Sequence, residues 1–143
     1  MTIRPEQALR AKALAVSAIT ALIGTRWSAE FVITKDIKYP LVVCTVAKAQ
    51  PLAHLGGPSG FTTDSVDVAV WGDTHDSVEA VAAQLRIALH ATKGDVTVGS
   101  DTAKMTCMLT EQDPCTTSPI DGSEFPIFGI TQHYTVSLAQ AVS

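Results

Sequence analysis

A chain of 143 residues, 46% hydrophobic and 17% charged, fits one globular domain spanning 1–143 with a real core, and its composition excludes global disorder. The net charge of −4, with no cluster of Lys or Arg, argues against tight or sequence-specific binding to nucleic acid, which works by neutralising phosphates. The low charged fraction also predicts that copies of the chain or other partners cover part of the surface.

In chain order, the first element expected is a helix from Pro5 to Ile23. Proline suits the first helical position, where its missing N–H costs nothing. Ala8, Ala11, Ala15, Ala18, Ile19, Leu22 and Ile23 share one stripe, and Gly24 supplies a left-handed stop. Extended runs follow at Phe31–Thr34 and Leu41–Val46, with Pro40 keeping Tyr39 out of the helical region. Ala47–Gly60 carries Pro51, Gly56, Gly57, Pro58 and Gly60, and is expected to be a long loop. In the strand Phe61–Trp71, Val66, Val68 and Val70 point to a core, while Ser65, Asp67, Ala69 and Trp71 point away.

A second helix is predicted from Thr74 or His75 to Ala91, capped by Asp73 or Thr74 and ended by Gly94. Val78, Val81, Ala82, Leu85, Ala88 and Leu89 form its buried stripe. Strands are expected at Val96–Val98 and Ala103–Glu111, then a second polar loop at Gln112–Phe125. In the final strand, Ile127–Leu138, residues Phe128, Ile130, Tyr134, Val136 and Leu138 alternate with Gly129, Thr131, His133, Thr135 and Ser137. Gln132 and Ile127 interrupt that alternation. The order gives an α+β fold, a mostly antiparallel β-sheet with two α-helices packed on one face.

Residue types that could carry chemistry are sparse. Cys44, Cys107 and Cys115 lack the short paired spacing of a structural zinc site, and no metal or cofactor is expected. Met1-Thr2-Ile3-Arg4-Pro5-Glu6 has no apolar signal core, and no run approaches the ~18 apolar residues of a membrane span. The expectation is a protein kept in a reducing cytoplasm with free thiols. Ser65, Asp67 and His133 are suitable types for a nucleophile, an orienter and a base. Alternating strands collect such residues on any wet face, however, and no G-x-S-x-G elbow presents the serine. A solvated or subunit-contacting face is the simpler reading, and His75 reads as a surface residue. Gly56-Gly57-Pro58-Ser59-Gly60 lacks the Lys-Ser/Thr of a phosphate loop and reads as a contact loop. Trp71 is either an aromatic covering the sheet end or an interface anchor.

Several phrases in order, nearly spanning the chain, resemble the tail terminator or tail completion proteins of long-tailed phages and prophages. They are Ala21-Leu22-Ile23-Gly24-Thr25-Arg26, Tyr39-Pro40-Leu41-Val42-Val43, Val66-Asp67-Val68-Ala69-Val70-Trp71, Leu85-Arg86-Ile87-Ala88-Leu89-His90 and the strand Phe128–Val136. The long form of 47–60 and the polar, Cys-containing 112–125 depart from the family's pattern. The resemblance implies assembly and no catalysis: a ring, typically hexameric, caps the tail tube, ends its polymerisation and offers the joining surface for the head. The implied partners are copies of the chain, the major tail tube protein and a head-completion or connector protein, with phage DNA passing through the lumen without specific binding. The implied location is the head-proximal end of the virion tail, after synthesis in the bacterial cytoplasm. Candidate assembly contacts are Leu52, His54 and Leu55, with Trp71, Asp67 and His133. The alternatives are another neck component (head-closure or adaptor), a small cytoplasmic enzyme using Ser65, Asp67 and His133 or Cys44, and a ligand-binding regulatory module.

Overall fold

The computed structural model describes residues 4–24, 26–28, 40–54, 57–99, 101–117 and 127–139. It starts with helix α1, Pro5–Leu14, where Pro5 takes the first turn and Gln7 Oε1 accepts from the Arg4 N–H at 3.0 Å. The single helix expected over 5–23 is broken. Val16 adopts extended dihedrals (φ −93°, ψ 118°), and helix α2, Ser17–Ile23, starts afresh after it. No glycine or proline marks the break; a β-branched residue merely sits easily in that conformation. The break alters the buried stripe, which consists of Ala8, Leu9 and Ala13 and then Ile19 and Ile23, while Ala15 and Ala18 are exposed. Gly24 ends α2 at φ 60°, as the sequence suggested.

Arg26 ties this end of α2 to the sheet. Its Nε donates to the Pro40 carbonyl at 2.9 Å and its Nη2 to the Leu22 carbonyl at 3.0 Å. Strand β1, Trp27–Ser28, then pairs in parallel with β2, Leu41–His54. The run Phe31–Thr34 lies outside the described residues.

The segment expected to be a loop over 47–60 is mostly ladder. Strand β2 continues to His54, and β3, Gly57–Gly72, pairs with it from His54↔Gly57 to Leu41↔Trp71. Pro51 survives because β2 is a sheet edge there among the described residues, and the register shifts between Pro51 and Ala53.

Helix α3, His75–Leu89, buries Val78, Val81, Ala82, Leu85 and Leu89, and Thr74 Oγ1 caps it by accepting from the Ser77 N–H at 3.2 Å. It ends earlier than expected. His90 is already extended and Ala91 sits at φ 56°, so the left-handed exit falls on an alanine. Gly94 lies inside β4, Thr92–Val98, which begins four residues before the strand expected at Val96. Two contacts fix this exit: the Thr92 hydroxyl donates to the Ala88 carbonyl at 2.7 Å, and the Leu109 N–H donates to His90 Nδ1 at 3.0 Å.

Strand β5, Asp101–Thr117, absorbs part of the second expected loop, because its partner β6, Ile127–Ala139, continues the ladder to Thr117↔Ile127. The strand order is β1-β2-β3-β6-β5-β4, and every neighbour pair after the first is antiparallel. The fold is α+β, as expected, with three helices on the covered face among the described residues instead of two. Val42, Cys44, Val66, Val68, Val70, Met105, Cys107, Val136 and Leu138 meet the helix stripes in one core.

Gln132, which breaks the apolar alternation of β6, is wholly buried and fully used. Its Nε2 donates to the Ala82 carbonyl at 2.9 Å and to Gln112 Oε1 at 3.0 Å, and its Oε1 accepts from the Tyr134 hydroxyl at 2.7 Å. The amide thus links α3, β5 and β6 inside the core. Replacing it by leucine leaves the tyrosine hydroxyl and the Ala82 carbonyl without these partners. Gln132→Leu is therefore expected to lower stability by about 1–3 kcal/mol in denaturant unfolding. Ala91→Gly should act oppositely, raising stability by about 0.5–1 kcal/mol in the same assay by relieving the left-handed alanine.

Candidate functional site

The open face of the sheet collects residues of one parity from three adjacent strands. On β6 these are Thr131, His133, Thr135 and Ser137; on β3 they are Ser65, Asp67, Ala69 and Trp71. Asp67 and His133 are direct cross-strand partners. Their side chains meet, with His133 Nδ1 2.6 Å from Asp67 Oδ1. The other ring nitrogen, Nε2, lies 3.1 Å from Asp113 Oδ2 on β5. One imidazole therefore bridges carboxylates on the strands at either side of it.

Asp113 reaches this face because of a β-bulge. Up to Leu109↔Tyr134 the odd-numbered residues of β5 point inward, as Cys107 and Met105 do. Then Glu111 pairs with His133, which leaves Thr110 as the extra residue. The slip reverses the parity: Glu111 and Asp113 turn outward, and Gln112 turns toward Gln132. The Thr110 hydroxyl donates to the His133 carbonyl at 3.0 Å, pinning the bulge to the residue it serves. Ligand atoms of Glu111, Asp113 and His133 all lie within 4.8 Å of one another, so these residues could hold a metal ion.

The Asp67 hydrogen bond does most to raise the His133 pKa above its ordinary value; burial opposes it, and Asp113 adds to it. Burial pushes the thiols of Cys44 and Cys107 up to about 12, so neither is a thiolate nucleophile near neutral pH. Cys44 lines a shallow pocket of about 170 Å³ with Arg4, Glu6, Gln7, Arg10, Trp27 and Ser28, at the sheet edge beside α1. That pocket contains none of the Asp67, Asp113 and His133 cluster.

The residues singled out from the sequence do not form one site. Asp67 and His133 come together, while Ser65 is opposite Thr135, and both His133 nitrogens face carboxylates instead of that hydroxyl. Trp71 is half-buried four positions further along β3, roughly 13 Å away at the rise of a strand. Leu52 and His54 lie toward the far end of β2, beyond the described end of β6, and Leu55 is outside the described residues. His75 stacks on Phe128, with ring centroids 3.9 Å apart. Sequence reasoning missed Glu111 and Asp113. Their two-residue spacing was a strand signal, but Pro114 and the polar run after it disguised it as a loop.

The backbone registers carry two ladders beyond the shared sheet at opposite ends. The β2–β3 ladder runs past Phe61↔Ala139 to His54↔Gly57, and the β5–β6 ladder runs past Gly72↔Phe128 to Thr117↔Ile127. Among the described residues, no helix is long and apolar enough to cross a membrane.

A chain described as "Virion of native gene transfer agent (GTA) particle" has a similar fold, with a TM-score of 0.66 and 14% identity over 94% of this chain and 93% of that one. No family model and no curated protein sequence matches this chain.

Because folding raises the His133 pKa, the bridge stabilises the fold most below the unfolded value of about 6.5, and this contribution fades as pH rises through the folded value. An NMR titration should place His133 above 6.5, and Asp67→Asn should bring it down. An unchanged midpoint in that variant would show that Asp67 is not the cause.

Proposed function

We propose that this chain is a structural subunit of a tailed phage-like particle, and that it forms a ring on the end of the tail tube. The observation that carries the proposal is the end-to-end likeness to a chain of a gene transfer agent virion. The likeness covers 94% of this chain and 93% of that one.

The geometry supports assembly in three ways. Helices seal one face of the sheet, so the other face and the two ends remain for partners. The extended ladders at opposite ends suit one contact toward the tube and another toward the head side. A head-to-tail contact between copies closes into a ring when its rotation closes. The polar outer face around Asp67 and His133, with Trp71 near one end, provides surface for such neighbours. A net charge of −4 suits a lumen through which DNA slides without adhering. The reading assigns no reacting group, in keeping with the burial of Cys44 and Cys107 and a histidine whose nitrogens are both engaged.

Deleting Leu52–Pro58 removes the tip of the β2–β3 hairpin but keeps the ladder from Leu41 to Pro51. The variant is expected to melt close to the parent, while electron microscopy of particles assembled with it shows tails of uncontrolled length or unattached heads. Normal infectious particles would refute the proposal. Label on the head-closure or adaptor tier, with none at the tube end, would instead make the chain another neck component.

A further inference from the structure

We propose that Glu111, Asp113 and His133 bind one divalent transition cation of the zinc class on the outer face of the sheet. The inference does not depend on the assembly reading. It starts from donor chemistry: one imidazole nitrogen and two carboxylates suit zinc, cobalt, nickel or manganese, whereas calcium and magnesium prefer oxygen alone. Two carboxylates and a neutral imidazole also balance a double positive charge.

The geometry is close to what such an ion needs. Donors about 2.0–2.2 Å from a tetrahedral zinc stand roughly 3.3–3.6 Å apart. Here His133 Nε2 and Asp113 Oδ2 are already 3.1 Å apart, and all three donor atoms fall within 4.8 Å. Glu111 and Asp113 are exposed, so closing the remaining gap needs only side-chain rotation.

Two further features fit this use. Metal-bound histidines usually donate their second ring N–H to a carboxylate, which fixes the ring and makes the free nitrogen more basic. Asp67 holds Nδ1 at 2.6 Å, leaving Nε2 toward the two acids. The bulge at Thr110 is the second. Without it, the parity of β5 would point Glu111 and Asp113 at the core; with it, both join His133, and the Thr110 hydroxyl secures the slip on the His133 carbonyl. Asp67 is a positioning residue here, and the other three are the ligands.

The full-length protein would be titrated with Zn²⁺ by calorimetry and with Co²⁺ by visible absorption. The expected result is one ion per chain. His133→Gln should abolish binding and Glu111→Gln should weaken it. Asp67→Asn should weaken it ~10–100-fold while keeping the Co²⁺ band pattern, because no ligand is removed. Asp95→Asn, on distant β4, should change nothing. Circular dichroism melts verify that each variant is folded, and Glu111→Gln, an isosteric change at an exposed position, keeps the test available if His133→Gln unfolds. Absence of saturable uptake, or uptake equally strong in Glu111→Gln and the parent, would overturn the proposal.

Discussion

Strand β6 lies between β3 and β5, and its two-residue alternation sorts this protein into a dry side and a wet side. Tyr134, Val136 and Leu138 lock into the core beneath α3, while Thr131, His133 and Thr135 face outward. Gln132 makes the sorting tolerable where it would fail. A buried amide is costly unless its donors and acceptors are met, and here the Ala82 carbonyl, Gln112 and Tyr134 meet them. The helices can dock only because that face of β6 is both apolar and satisfied.

Among the described residues, the same arrangement leaves the opposite face uncovered. Sealing one side of a sheet with helices gives a domain with one rigid back, one open front and two ends. A catalytic pocket usually needs walls around reacting groups, whereas the cluster around His133 lies on a sheet surface with its side chain one-third exposed. Surfaces of this kind bind neighbours or ions more readily than they enclose a substrate.

Legibility in the sequence followed the strength of local signals. Helix α3 could be read because its apolar spacing and its Thr74 cap agree, and the valines of β3 because their alternation is unbroken. The break at Val16 could not be read, since no glycine or proline announces it. The left-handed exit at Ala91 was equally unannounced, because Gly94, three residues on, is the type that usually marks such an exit. The long ladders were missed for a related reason: β2 and β5 are carried past Val46 and Glu111 by backbone pairing with β3 and β6, which is indifferent to the polar side chains that mimic a loop. Of the site, Asp67 and His133 were visible as outward residues. Their third partner was not, because a register slip is invisible to any rule that counts by twos.

That slip at Thr110 makes the pairing phase of β5 a coded quantity. Were Thr110 to pair with His133 in simple alternation, two carboxylates would be driven into the oily interior and Gln112 would leave the amide network it completes. Losing Thr110 outright would instead keep Glu111 and Asp113 outward and remove only the hydroxyl that pins the slip. The residue inserted there is spare in the ladder, while the facing of Glu111 and Asp113 depends on its staying out of step.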